Sequence, residues 1–254
     1  MIILDIVVVL LILALAHQSI GFFSKGKSLK SRNDLKNLWY YHLIFGLAFM
    51  LYTSNFGGDA LKYWSKYGFH LGNTLQDYLQ GGEGTAFVHL LNYPFVHIME
   101  LSYFTGTVIY SFIGFLGVLF FYLSAVDLIK SNVKIYGINL FPAVFFLPNL
   151  HFWSAGVGKD TLSFFCIGIF LYSSMRLKTR FPGILLSLFL LYNIRPHMAV
   201  FLLVAFGLSA LIDGKLKKGY KIAMSLSFAV AAVLLFDNVM SYVKLDEVST
   251  ESIE

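Results

Sequence analysis

Residues 2–23 read IILDIVVVLLILALAHQSIGFF, with one carboxylate and no lysine or arginine. A helix needs about 20 apolar residues to cross a bilayer core. In hydrocarbon, only a helix or a closed barrel satisfies every backbone amide internally. A chain that opens on such a run and repeats it is therefore bound to helices with lipid as solvent. The run does repeat, at 37–55, 106–129, 135–150, 161–175, 183–193, 198–212 and 222–243. Composition agrees. The 254 residues are 57% hydrophobic and 13% charged, against about 25% charged in soluble domains. The first run is not a convincing signal peptide despite ALA at 14–16, because the basic residues follow it instead of preceding it.

The loops set the orientation. SKGKSLKSRNDLK carries Lys25, Lys27, Lys30, Arg32 and Lys36. Lys130 and Lys134 follow the third run, and Arg176, Lys178 and Arg180 the fifth. DGKLKKGYK adds Lys215, Lys217, Lys218 and Lys221. If the runs cross alternately, all four basic loops fall on one side, the cytoplasmic one, and the N-terminus lies outside. The expectation is an all-α polytopic membrane bundle of about eight crossings, a single integral-membrane domain over 1–254. Basic residues gathered in short loops argue for orientation and against nucleic acid. The lone cysteine, Cys166, cannot close an internal disulfide and reads as core packing.

Two regions depart from plain crossings. The segment 56–105 is too polar to span. Its amphipathic stretches 60–70 and 85–104 read as interfacial helices on the outer face. The runs 183–193 and 198–212 are short and broken by NIRPH. Irregular backbone at that depth needs protein or water around it.

FWSAGVGKDT, residues 152–161, imitates a phosphate loop. The motif G-x-x-x-x-G-K-[ST] requires a first glycine and a metal-binding hydroxyl. Trp153 and Asp160 stand at those positions. The stretch reads instead as an outer interfacial loop, with Trp153 at headgroup level, two glycines bending the chain, and Asp160 as the cap of the next helix. Lys159 fits that role less well, since a cation opposes the macrodipole there.

Ionisable groups at membrane depth are costly and mark sites. Three separate segments bring them to the outer side. NFGGDALKYW supplies Asp59, Lys62 and Tyr63; NLHFWSAGVGKD supplies His151, Lys159 and Asp160; YNIRPH supplies Arg195 and His197. Asp59 also suits a cap for a helix beginning at Ala60. His151 reads as interfacial. Snorkelling at a helix end is the rival for Arg195. His70, His89 and His97 are spaced unlike zinc ligands and lack nearby cysteine or carboxylate partners. Asp5 and Asp127 lie near helix ends, Asp127 placed to pair with Lys130. Asp237 lies inside the last run, without a local cation.

The Asp59…Tyr63 spacing in GGDALKYW, ahead of interfacial helices, resembles the integral-membrane (C-type) glycosyltransferases. LPNLHFWSAGVGKDTLSFF followed by LYNIRPH resembles multi-pass proteins of bacterial exopolysaccharide and O-antigen clusters, over roughly residues 40–200. Here the acid follows the second helix, not the first, and there are fewer helices than such proteins have. The resemblance implies transfer or polymerisation of undecaprenyl-diphosphate-linked sugars by a multi-pass protein of the bacterial cytoplasmic (inner) membrane. Lys159 and Arg195 would grip the diphosphate, Asp59 or His197 would act as base, and Tyr63, His151, Asp160 and Trp153 would contact substrate. No cofactor is required, although a divalent cation is compatible with the acids. The expected partners are the bilayer, the lipid-diphosphate-linked glycan and other envelope-biosynthesis proteins. A transporter for an anionic or lipid-linked substrate, or a scaffold subunit of an envelope complex, are the alternatives.

Overall fold

The computed structural model describes residues 2–66, 75–129 and 133–212, with 218–219, 221–223, 226 and 230. His70, Lys130, Lys215, Lys217, Asp237 and most of 222–243 lie outside these residues. The described chain is all-α apart from one two-stranded hairpin.

Three long helices form the frame: α1 (Ile2–Phe23), α2 (Leu29–Phe56) and α6 (Tyr103–Leu128). Each start is set locally. Ser28 caps α2 by accepting from the Ser31 amide, and Ser102 caps α6 by accepting from the Thr105 amide. Asp5 of α1 reaches the same cap, accepting from the Ser102 amide at 2.9 Å and its hydroxyl at 2.8 Å. Gly57, at φ +80, ends α2. These contacts define two ends of the bundle. At one, Asp5 meets Ser102. At the other, Phe23 packs on Phe120, the Tyr122 hydroxyl donates to Asp34 at 2.8 Å, and Lys27 pairs with Asp127. Asp127 thus finds a cation in the α1–α2 connection. This second end carries the basic α1–α2 connection and the basic residues 176–180.

Short elements cover the first end. They are α3 (Asp59–Tyr63), α4 (Leu75–Gln80), α5 (Thr85–Tyr93) and a π-turn at Pro94–Ile98. Asn92 of α5 is buried and donates to the Tyr63 carbonyl at 2.9 Å; it accepts from the Tyr110 hydroxyl at 2.8 Å. The segment expected to lie on a membrane surface thus packs by one face into the bundle.

The run 135–150 is not the spanning helix expected. It forms β1 (Lys134–Ile135) paired with β2 (Ile138–Asn139), then α7 (Leu140–Ala143) and a 3₁₀ turn at Val144–Phe146. Tyr136 and Gly137 both take positive φ, the requirement of a tight hairpin turn. Pro142 and Pro148 then withhold two backbone donors. Apolar composition met the hydropathy criterion, but the turn chemistry defeated the helix.

The next two helices form a V. Helix α8 (Pro148–Ser154) and α9 (Lys159–Ser174) meet at 110°. The chain leading into α8 passes Tyr122, whose ring lies 5.1 Å from Phe141 of α7. The returning leg ends beside Phe120, 5.1 Å from Tyr172. Both legs therefore open at the basic end. The tip lies deep between α2 and α6. There the Ser111 hydroxyl donates to the Ala155 carbonyl at 3.1 Å. Backbones touch where α9 crosses α6: a Cβ on Gly168 would stand 2.8 Å from the Gly117 carbonyl oxygen.

Helix α10 (Leu177–Ile194) returns to the first end, and α11 (Pro196–Ile212) leaves it. The apolar run 183–193 is thereby lengthened only slightly, because α10 is kinked where Arg180 leaves helical φ/ψ, just before Pro182. Its polar first turn is held by Arg180, stacked 3.6 Å over the Tyr172 ring and bonded to the Tyr172 carbonyl at 2.9 Å. Among the described residues, α1 and α6 are long and apolar enough to cross a membrane, and the bent pair makes three if counted as one span.

Candidate functional site

The V delivers Lys159 and Asp160 to the first end. Its tip is built from Ala155, Gly156, Val157 and Gly158 because little else fits. A Cβ at Gly156 would lie 2.1 Å from the Phe49 ring, and one at Gly46, opposite, 2.0 Å from the Ser111 hydroxyl. The Thr161 hydroxyl closes the turn onto the Gly156 carbonyl. The α10–α11 break delivers Arg195. Its amide closes α10 on Leu191 at 2.7 Å, its carbonyl accepts from Met198 at 3.0 Å, and Pro196 opens α11 with no amide to satisfy. The Gly84 amide donates to the Asn193 carbonyl at 2.7 Å, tying α5 to this break.

Arg195 Nη2 donates to Asp160 Oδ1 at 2.7 Å. Asp59, first residue of α3, pairs with Lys62 at 3.7 Å. The Lys159 ammonium feels the charges of Arg195, Asp59 and Asp160. Tyr63 lies against the same group. Burial pushes its phenol above the usual range, a Thr85 hydrogen bond opposes that, and Asp59, Arg195 and Asp160 act on it in turn. Three cations and two carboxylates from three distant segments thus converge. The site faces solvent in part: the side chains of Asp59, Asp160 and Arg195 are 67%, 57% and 30% exposed. An open groove of about 390 Å³ runs from Asp160 past Ser154 to Trp153 and Asn149.

Several expected roles change. Asp160 does not cap α9, and Asp59 does not cap a helix at Ala60. Gly158 and Gly58 hold the cap positions, and neither makes a side-chain cap bond. The two acids occupy the first turns instead, where they offset the unfavourable placement of Lys159 at a helix start. His151 is neither interfacial nor part of the cluster. It is fully buried, its Nε2 donating to the Phe145 carbonyl at 2.6 Å and its Nδ1 lying 2.8 Å from His42 Nδ1. Trp153 is half exposed and stands edge-on to Phe49 and Phe152. His197 packs edge-on to Phe201, two residues past Arg195.

Thr85, Asn92, Tyr110 and His42 escaped the sequence reading. Asn92, Tyr110 and His42 stand inside largely apolar stretches, Thr85 follows the GGEG loop at the start of α5, and each has a partner on another helix. Among the described residues, no group of three or more His, Cys, Asp or Glu side chains could hold a metal ion. No known protein family, curated protein or solved structure matches the chain.

Proposed function

We propose that the chain is an integral membrane glycosyltransferase or polysaccharide polymerase, acting on a lipid-diphosphate-linked sugar at the outer face of the bacterial cytoplasmic membrane. One observation carries the reading: Lys159 and Arg195, 36 positions apart in sequence, share a part-exposed cluster with Asp59 and Asp160. Arginine suits two phosphate oxygens at once, and lysine adds a point charge. Together they would stabilise the charge that develops on the departing diphosphate. Asp59, the more exposed acid, would take the proton of an acceptor hydroxyl. That oxygen bonds to the anomeric carbon as the bond to the diphosphate oxygen breaks, and the lipid diphosphate leaves with the electron pair.

In this reading the basic end is cytoplasmic and the N-terminus is outside. The V re-enters from the cytoplasmic side and replaces the expected fourth and fifth crossings. Among the described residues, the basic α1–α2 connection, Lys134 and residues 176–180 still fall on one side, as the positive-inside argument requires.

Glycan chain length in cells tests the proposal. With protein abundance held constant, Arg195→Ala and Asp59→Asn should each abolish extended glycan and accumulate unextended lipid-linked sugar; wild-type glycan in both variants refutes it. The break between α10 and α11 at Arg195 favours a second reading, a transporter, because substrates bind at discontinuous helices. A cysteine at position 195 that reacts from each side of the membrane in turn selects the transporter.

A further inference from the structure

A partly open cavity of about 220 Å³ lies among α5, α6, α9 and α10. Its walls include Ile109 and Tyr110 of α6, Leu162 and Cys166 of α9, and Leu190 and Ile194 of α10. The lining is apolar except at one edge, where the Tyr110 hydroxyl bonds Asn92, and Asn92 bonds the Tyr63 carbonyl. That edge points to the cluster, because Tyr63 lies beside Asp59, Asp160 and Arg195. Ile194 directly precedes Arg195, and Leu162 follows Asp160 by two residues. The charged groups and the hollow thus occupy neighbouring positions on the same two helices.

An apolar hollow of about 150 Å³ or more stays dry and takes up apolar molecules. Left empty, it forfeits the packing contacts its walls would make. Cations above an apolar hollow complement a ligand with an anionic head and a hydrocarbon chain. Resting on the phosphate-binding role proposed for Lys159 and Arg195, we infer that this cavity receives the first carbons of the aliphatic chain of a lipid diphosphate whose head those two residues hold. The bundle interior, not the surrounding bilayer, then reads the chain nearest the diphosphate.

Binding of geranyl diphosphate and inorganic pyrophosphate to the full chain in zwitterionic nanodiscs, corrected for empty nanodiscs, tests this. Wild type should prefer geranyl diphosphate by about tenfold or more, the return from roughly two buried methylene groups. Cys166→Phe and Leu190→Phe, which fill the hollow, should erase the preference and leave pyrophosphate affinity unchanged. Pyrophosphate binding without preference in wild type overturns this inference and leaves the anion site standing. Failure of both ligands to bind overturns the anion site as well.

Discussion

Arg195 and Asp160 lie 35 residues apart and meet at 2.7 Å, one at the break between two helices and the other in the first turn of a third. The pair joins the tip of the V to the end of α10. It also sets the charge available to a ligand, because each contact Asp160 makes with Arg195 is one withheld from an anion.

Asp160→Asn should therefore change binding more than stability. A part-exposed ion pair contributes about 0–1 kcal/mol, so the unfolding temperature should move little. Pyrophosphate should bind several-fold tighter, about 1 kcal/mol, while Arg195→Ala should weaken it by about tenfold or more. Calorimetric titration of the two variants and their combination separates the effects. Weaker binding in Asp160→Asn would mean that the carboxylate positions the guanidinium instead of competing for it.

Packing at the V depends on glycine at particular positions. A Cβ on Gly114 would lie 1.9 Å from the Ser154 carbonyl oxygen and 2.7 Å from His42 Nε2, whereas one on Gly21 meets nothing within 4 Å. Gly114→Ala should cost about 1–3 kcal/mol through forced backbone movement. Gly21→Ala should be neutral or stabilise by about 0.5–1 kcal/mol. Thermal unfolding in detergent, both variants side by side, checks the contrast.

The buried histidines hold α8 to α2. Because His151 Nε2 donates to the Phe145 carbonyl, its Nδ1 is the acceptor and His42 Nδ1–H the donor. His42→Leu strands a buried acceptor, at about 1–3 kcal/mol. His42→Leu with His151→Leu should cost less than the sum of the two single changes, which a double-mutant cycle on unfolding free energy measures.

His89 makes the cap over the first end sensitive to acid. Burial, with a smaller effect from His97, holds its imidazole down at about 4, where a free histidine titrates near 6.5. Between those values the unfolded chain binds the extra proton and the folded one does not. Stability is therefore full above about pH 6.5, falls as pH drops toward about 4, and levels off below. The total loss is on the order of 3 kcal/mol. His89→Gln should flatten this part of a stability profile recorded from pH 7.5 to 4.

The sidedness proposed for the two ends has a labelling test. In a Cys166→Ser background, Tyr136→Cys and Lys178→Cys should react with an impermeant thiol reagent from the same side, and Lys62→Cys from the opposite one. Tyr136 is fully exposed, so burial would not mask it. Labelling of Tyr136→Cys from the Lys62 side would overturn the proposed assignment of the basic end to one face of the membrane.

The sequence by itself determined that this chain is helical, where α1, α2, α6, α9 and α11 begin and end to within a few residues (α2 excepted at its start), and that one end of the bundle is basic. Those features are sums over neighbouring residues, of apolar transfer and of charge, and neighbours are what a sequence displays. It also named Asp59, Lys159, Asp160 and Arg195, because charge inside apolar surroundings stands out without a fold, and Tyr63 through its spacing from Asp59. Tertiary structure decided the rest: that residues 135–174 turn back as a V, that Asp160 binds an arginine and caps nothing, that His151 pairs with His42, and that a hollow lies under the cluster. Each of these depends on a close approach between segments far apart in the chain, allowed by glycines such as Gly46, Gly114 and Gly156. A hydropathy window assigns a glycine the same value whether another backbone touches it or not.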